Sequence, residues 1–209
     1  MTTPRPAGVP IRRLSLLLLG ALCALSPRAL VAQRVTPEQQ RAAAVLPLPE
    51  PLRAGAAVMT IAADGTLRPL RKGTNGMICL ADTPADSLFD VRCYHESFMP
   101  LVTRRRVLVR NGLSDSAATG RLDAEVGQGS LRLPAGPTAG YRMLGPIAGY
   151  DPVHNRTTDL IDRWQSIHMP YATAAAMGVS EVANGIEPYA MSSGTWWAHV
   201  MIMQRPLRY

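Results

Sequence analysis

The sequence has few of the residues from which reactive sites are most often built. Its 209 residues include three cysteines and four histidines, and no two cysteines have the C-x-x-C spacing. The usual spacing of a dithiol redox site is therefore missing, and the lack of C-x-x-C-H excludes covalent haem attachment. The H-E-x-x-H set of zinc hydrolases and the G-x-S-x-G elbow of α/β-hydrolases are missing as well. No stretch thus carries an unambiguous catalytic or cofactor signature.

Apolar runs are short, and none reaches the roughly 20 residues of a transmembrane helix. The run LSLLLLGALCAL is about a dozen residues long, follows Arg12 and Arg13, and precedes SPRALVAQ. A basic head, a short apolar middle and a small-residue exit are typical of a secretory signal peptide, so residues 1–32 are predicted to be removed after Ala32. Leu30 stands where a small residue is preferred, and an uncleaved membrane anchor is the alternative.

The charge of the chain changes once a signal peptide is removed. Four arginines and no acids lie in residues 1–32, so the formal net charge of +7 becomes +3 for the remainder. This balance does not favour a nucleic-acid partner, and a membrane partner is expected only if the signal segment stays uncut. The adjacent Arg104, Arg105 and Arg106 would point in different directions on a helix, which predicts a solvated surface rather than an anion-binding patch.

Two cysteines remain after Cys23 leaves with the signal peptide. Cys79 and Cys93 form an even pair in a chain bound for an oxidising compartment, which predicts a disulfide. The bond would close a loop of about 15 residues and stabilise the fold by roughly 3 kcal/mol in the chain-entropy model. The exported location, periplasmic or extracellular in a bacterial cell, follows from the same signals.

The chain that remains has about 177 residues, enough for one domain. Residues 33–56 are rich in Ala, Pro and Leu, and Thr36, Pro37 and Gln39 form a capping-box pattern that predicts a short helix through Leu46. The following LPLPEPL ends this helix. We interpret residues 33–56 as a lead-in or arm outside the core, and residues 57–209 as a single α+β domain.

The first part of that domain is predicted to be β structure. AVMTIA and TLRPLRK flank the turn at Asp64 and Gly65, and Pro69 makes the second run an edge strand. With the run Met77–Leu80, these segments predict a three-stranded antiparallel meander. Residues 97–111 then favour a helix capped by Ser97, although their β-branched residues leave a strand as the alternative.

The rest of the chain alternates turns with short elements. Ser114 is predicted to cap a second helix, and residues 141–144 to form a strand. NRTTDLIDRWQSIHMPY fits a helical face, but a strand beginning at Ile167 fits as well. The final GTWWAHVMIMQ is apolar on both alternating faces and predicts a central buried strand. The fold class is therefore α+β: a small antiparallel sheet with a few short helices and one disulfide.

Several of these segments resemble a known group of sequences. GTNGMICL, followed by Cys93, RNGLSDSAATGRL, GYRML and a late His-x-Met strand, is similar to uncharacterised exported bacterial proteins with a G-T-N-G-x-x-C signature. The likeness covers about residues 70–205. It implies an α+β fold and an exported location, and it implies no site residues because no activity is established for the group.

The four histidines are the candidates for chemistry. His95 is expected to be a surface or loop residue, and it would act as a general base only if a cleft forms there. His154 lies in a polar segment with Asp151 and Asp159, an arrangement that fits no standard metal motif. His168 lies in the aromatic and Met-containing segment WQSIHMPY.

His199 lies in a similar segment, WWAHVMIM, and in an extended strand it shares one face with Met201 and Met203. Imidazole and thioether groups suit Cu(I), so His168, His199, Met201 and Met203 are the candidate copper ligands. Core packing is the favoured interpretation, because methionine fills irregular gaps in a core and a histidine on a strand can bond one ring nitrogen to the backbone. No cofactor is therefore predicted, and copper is the alternative.

A serine hydrolase is a further candidate, since Ser192 and Ser193 precede a glycine with His199 close by in the sequence. The favoured function is an exported envelope protein that binds a small molecule or another envelope protein, with a non-enzymatic role preferred. The alternative is a small hydrolase-like enzyme or a copper-binding protein. A pocket that brings at least two histidines together with an acid or a serine would favour the enzyme, whereas an exposed apolar face would favour an interaction module.

Overall fold

The computed structural model describes residues 35–62, 65–83 and 87–204. The predicted signal peptide, residues 1–32, lies outside these ranges, as does Asp64 of the predicted hairpin turn. No helix in the described ranges has both the length and the apolar character needed to cross a bilayer.

Five α-helices lie in the described residues: α1 (Pro37–Ala44), α2 (Glu50–Arg53), α3 (Met99–Arg110), α4 (Asp115–Gly127) and α5 (Ala174–Met177). The strands are β1 (Ala57–Ile61), β2 (Leu67–Arg71), β3 (Met77–Leu80), β4 (Leu88–His95), β5 (Thr138–Pro146), β6 (Tyr150–Asp151), β7 (Arg156–Thr157), β8 (Asp162–His168), β9 (Tyr189–Met191) and β10 (His199–Gln204). Two 3₁₀ turns span Glu96–Phe98 and Ile147–Gly149.

The main sheet has eight strands in the order β2-β1-β3-β4-β5-β8-β10-β9, and β6 pairs separately with β7. The predicted α+β class is confirmed, but the predicted small antiparallel sheet is wrong in two respects. The sheet is large, and its β1–β3 pair is parallel. Strand β4 was not predicted, and residues 162–168 form a strand where their spacing fitted a helix as well.

The predicted meander is wrong at its third strand, because β3 pairs with β1 and not with β2. Pro69 lies in β2 at the edge of the sheet, as its missing N–H donor requires. The segment that connects β2 to β3 passes the start of β1, where the amide of Thr74 donates to the carbonyl of Gly55 at 2.7 Å. At Gly73 a Cβ atom would lie 2.4 Å from the backbone nitrogen of Ala57, so this crossing requires glycine.

The predicted disulfide is confirmed, with Cys79 and Cys93 directly opposite one another on β3 and β4. Both side chains are fully buried. The bond therefore joins two neighbouring strands within the core, beneath the N-terminal segment.

The N-terminal segment begins as predicted, with Thr36 and Gln39 forming both bonds of the capping box and Pro37 in the first turn of α1. Its interpretation as an arm outside the core is wrong. Ala44 and Leu48 are buried in the apolar cluster that also contains the disulfide. The segment ends its helix early and runs across the sheet, so its apolar residues cover one sheet face.

The opposite face of the sheet is covered in part by α3 and α4. Residues 99–110 are helical, so of the predicted helix and its alternative, a strand, the helix is correct. The chain enters α3 through a 3₁₀ turn, and the residue that precedes α3 is therefore Phe98 and not the predicted cap Ser97. Ser114 caps α4 as predicted, accepting from the amide of Ala117. Leu101 and Leu122 of the two helices share a core cluster with Tyr94 of β4.

Strand β10 is an interior strand between β8 and β9, but the prediction that it is covered on both faces is wrong. His199 is buried, whereas Val200, Met201 and Met203 are each only partly buried. The tryptophans precede the strand, because β10 begins at His199. The aromatic residues that bury His199 do not extend along the strand, and one face of β8 and β10 stays accessible.

Candidate functional site

A cavity of about 200 Å³ opens on this accessible sheet face. Its floor comes from alternate residues of β4, β8 and β10 and from the adjacent Tyr141 and Arg142 of β5, while Arg105 of α3, Met191 of β9 and Trp197 contribute to its walls. Side chains of one face recur every second residue in a strand, so the register of the strands decides which residues meet here.

Two rows of the register define the two ends of the pocket. In the first row Arg92, Arg142 and Trp164 are neighbours across β4, β5 and β8. In the second row His168 of β8 faces His199 of β10, which in turn faces Met191 of β9. The rows are four residues apart along β8, or roughly 13 Å at about 3.3 Å per residue. We call them the arginine end and the histidine end.

The arginine end is organised around Asp90. Its two carboxylate oxygens accept from Arg92 at 3.0 and 2.5 Å and from Arg142 at 2.9 and 2.8 Å. Burial would raise the pKa of Asp90, but these hydrogen bonds outweigh it and lower the pKa to about 2. The guanidinium of Arg142 also lies 5.3 Å from the ring centre of Trp164. Each arginine uses two of its five N–H donors on Asp90, so further donors remain for a ligand.

A third arginine adds positive charge near this end. The Nε of Arg106 is buried and has no hydrogen-bond partner among the described residues. Burial and the charge of Arg92 both lower the pKa of Arg106. Arg104 bonds to Glu125, whereas Arg105, which lines the wall of the cavity, bonds to Asp115. The three side chains therefore diverge as predicted, but the interpretation of all three as a solvated surface is wrong for Arg106.

The histidine end is more deeply buried. His168 is 2 % exposed and His199 is 5 % exposed, and their ring centres are 4.8 Å apart. The rings of Phe98 and Trp197 lie 4.3 and 4.9 Å from that of His168. Burial, and then the proximity of His199, lower the pKa of His168 to about 3. Burial also lowers the pKa of His199, so both imidazoles are neutral at pH 7.

The ring nitrogens have different partners. Nδ1 of His199 lies 2.6 Å from the carbonyl oxygen of Trp197, which only accepts, so this nitrogen carries the proton and Nε2 keeps its lone pair. Nε2 of His168 lies 3.1 Å from Oγ of Ser166. Nδ1 of His168 is buried and has no hydrogen-bond partner in residues 35–62, 65–83 and 87–204.

Gly140 makes room for the Ser166–His168 pair. A Cβ atom on Gly140 would lie 2.5 Å from Oγ of Ser166 and 2.9 Å from Nε2 of His168. Any larger residue would therefore displace one of the two groups. The glycine in β5 thus allows both polar side chains to lean towards the neighbouring strand.

The other predicted site residues lie elsewhere. His95 was expected to be a surface or loop residue, but it is the half-buried last residue of β4, with Nδ1 2.8 Å from Oγ of Ser97. His154 pairs with Asp151 in an exposed turn. Ser193 accepts from the amide of Ala174. In the part of the chain that the structure describes, no group of three or more His, Cys, Asp or Glu residues is placed to hold a metal ion.

The pocket meets the condition set for an enzyme, since it contains His168, His199 and Ser166. Three of the four candidate copper ligands line the pocket: His168, His199 and Met201. Met203 is outside the described lining, and Met191, which was not predicted, is part of it. Sequence reasoning missed Arg92, Arg142, Ser166 and Met191. The i, i+2 spacing of Ser166 and His168 would have linked those two if residues 162–168 had been predicted as a strand.

Comparison with family models, curated proteins and solved structures gives no match to the chain. The functional argument therefore rests on the geometry of the pocket.

Proposed function

We propose that this chain is an exported ligand-binding protein whose pocket takes a small planar organic anion, such as an aromatic carboxylate. The observation that carries the proposal is the arginine end. There Arg92 and Arg142 are held rigidly by Asp90, and Trp164 lies beneath one of the two guanidinium groups.

The charges at this end favour an anion. Asp90 offsets one of the two positive charges of Arg92 and Arg142, and Arg106 adds another nearby. A carboxylate placed between the remaining N–H donors would gain charge-assisted hydrogen bonds, which are about twice as strong as neutral ones. The two histidines are neutral and would not compete for the anion.

Aromatic side chains favour a planar ligand. Tyr94, Trp164 and Trp197 all line the pocket. Rings of this kind stack on a flat apolar group in offset or edge-to-face geometry and add about 0.5–1.5 kcal/mol beyond the buried area. The cavity of about 200 Å³ lies below the usual range of about 300–1,000 Å³ for ligand pockets, so a single-ring compound is the appropriate size.

The predicted export of the chain supports this role. The disulfide between Cys79 and Cys93 is stable in oxidising compartments, and the predicted signal peptide would deliver the chain there. A binding protein in the cell envelope meets small molecules that enter from outside the cell. The partner is therefore proposed to be a small molecule rather than another envelope protein.

Benzoate tests the proposal, with neutral benzamide as its isosteric control. Binding is measured by tryptophan fluorescence, because Trp164 and Trp197 line the pocket, and by calorimetry. We expect benzoate to bind at least tenfold more tightly than benzamide, and more weakly at high salt. Arg142→Gln should weaken benzoate binding at least tenfold, whereas replacement of the exposed Arg132 by Gln should leave it unchanged. Equal affinity for the two compounds would contradict the proposal.

A hydrolase-like enzyme is the second candidate, favoured by the 3.1 Å distance between Oγ of Ser166 and Nε2 of His168. In this role Ser166 would be the nucleophile and His168 its general base. Two features weigh against it. Burial lowers the pKa of His168 to about 3, too low for an effective base at neutral pH, and within the described part of the chain no carboxylate orients its Nδ1.

A further inference from the structure

We infer that the histidine end of the pocket is a Cu(I) site formed by the thioethers of Met191 and Met201 and the imidazoles of His199 and His168. The site goes beyond the proposed anion binding and does not depend on it. It uses none of the arginine-end residues: their row lies about 13 Å from that of His168 and His199 along the strands, and about 7 Å from Met201, which is two residues away.

The sheet register brings these four side chains together. His199 is the centre: it faces His168 on one neighbouring strand and Met191 on the other. Met201 is two residues further along β10 and therefore points to the same face. All four line the same cavity. The set contains two nitrogen and two sulfur donors, and soft thioethers select Cu(I) over harder divalent ions.

The hydrogen bonds of the two imidazoles leave one lone pair on each ring. Nδ1 of His199 must donate to the carbonyl of Trp197, which leaves Nε2 free to bind a metal. If Nε2 of His168 donates to Oγ of Ser166, then Nδ1 keeps its lone pair. Histidines that bind metals usually donate their second N–H to a protein oxygen in this manner, because the bond fixes the tautomer and the orientation of the ring.

One buried nitrogen at this end is available to a metal ion. Nδ1 of His168 has no hydrogen-bond partner among the described residues, although its side chain is 2 % exposed. A buried polar atom without a partner costs about 1–3 kcal/mol. A metal ion at this nitrogen would remove that cost, and it would explain why a polar ring stands among Phe98 and Trp197.

An ion can reach this end from solvent. Met191 is 41 % exposed at the outer edge of the sheet. A second cavity, of about 710 Å³, shares Met191, Trp197 and Arg105 with the first. The thioether of Met191 therefore lies between the wider cavity and the buried imidazoles, where it can receive an arriving ion.

The test is an anaerobic titration with Cu(I) in competition with the chelator bicinchoninate. Tryptophan fluorescence and the melting temperature are the readouts. We expect one equivalent of Cu(I) to bind, to quench Trp197 and to raise the melting temperature. Met191→Leu and Met201→Leu should each weaken Cu(I) binding at least tenfold. Leucine keeps the volume of methionine and should preserve the fold, which circular dichroism verifies.

Met203→Leu is the matched control, since it changes a thioether on the same strand and face but beyond the described lining of the pocket. It should leave Cu(I) binding within twofold of the unmodified protein. Equal losses in Met191→Leu and Met203→Leu, or failure to take up one equivalent of Cu(I), would overturn the inference. Arg142→Gln should retain Cu(I) and lose benzoate, so that failure of one site is distinguishable from failure of the other.

Discussion

His168 and His199 are directly opposite one another on the antiparallel strands β8 and β10, with their ring centres 4.8 Å apart. Both are buried, and burial lowers the pKa of each. The interior of this protein therefore holds two adjacent imidazoles in the neutral form, a state that costs little at pH 7 and increasingly more in acid.

Stability is expected to fall on mild acidification. Between the usual histidine pKa of about 6.5 and the folded value of about 3 for His168, the unfolded chain binds a proton that the folded chain does not. The contribution of each neutral imidazole to the free energy of unfolding is therefore fully present above about pH 6.5. It decreases as the pH falls, by up to about 1.4 kcal/mol per pH unit for each such group. Urea unfolding from pH 7 to pH 5 measures this slope, in a range where carboxylates contribute little.

Two variants assign that slope. His168→Gln should flatten it, because glutamine stays neutral at all these pH values. Arg132→Gln, a change at an exposed position that carries no imidazole, should leave the slope unchanged. A slope that persists unchanged in His168→Gln would show that this imidazole is not held neutral by the fold.

Gly140→Ala should destabilise the protein and damage the pocket. The added methyl group would lie 2.5 Å from Oγ of Ser166 and 2.9 Å from Nε2 of His168, and the packing around His168 leaves its ring little freedom to move. We expect a loss of about 1–3 kcal/mol, typical of overpacking. The control is Gly120→Ala in α4, where no atom lies within 4 Å of the new Cβ. That change should stabilise the protein by about 1 kcal/mol, because alanine favours a helix. Thermal unfolding of the two variants should therefore shift in opposite directions.

Local signals in the sequence predicted individual elements well. The capping box at Thr36 and Gln39, the cap at Ser114 and the edge position of Pro69 depend on hydrogen bonds within a few residues, and each is present. The disulfide was also predictable, because it required only an even pair of cysteines and an oxidising compartment.

The pocket was not predictable from such local signals. Arg92 and Arg142 are 50 positions apart in the sequence and meet only because β4 pairs with β5. Met191 enters the site because β9 pairs with β10. Met203 is on the expected face of β10, but it is two residues beyond Met201 and outside the described lining of the pocket. Register depends on the packing of the whole sheet, and no short stretch of the sequence determines it.

The disulfide should dominate resistance to unfolding. Cys79 and Cys93 are fully buried on adjacent strands, so reduction of the bond should lower stability by about 2–5 kcal/mol. Thiol titration of the denatured, unreduced protein should detect no free thiol from this pair. Two reactive thiols there would contradict the bond, and an unchanged melting temperature after reduction would contradict its structural role.

The exported protein should begin at Gln33. The basic, apolar and small-residue regions of residues 1–32 predict cleavage after Ala32. Intact-mass measurement of protein from the culture medium or periplasm gives the N-terminus directly. An intact Met1 in a membrane fraction would instead support the uncleaved anchor.

Ser166→Ala separates the metal site from the hydrolase, because the two require opposite roles for the same hydrogen bond. In a hydrolase Ser166 donates its proton to Nε2 of His168, and the variant should lose all turnover of an ester such as p-nitrophenyl acetate. In the Cu(I) site Nε2 donates to Ser166, so the variant loses only the partner that orients the ring, and Cu(I) affinity should fall about 10–100-fold. Benzoate binding at the arginine end should be unchanged in either case. We expect Ser166→Ala to bind Cu(I) more weakly, and we expect neither the unmodified protein nor the variant to hydrolyse the ester faster than the background rate. If the unmodified protein turns over the ester and Ser166→Ala does not, the protein is an enzyme. That result would also contradict the tautomer of His168 on which the metal site depends.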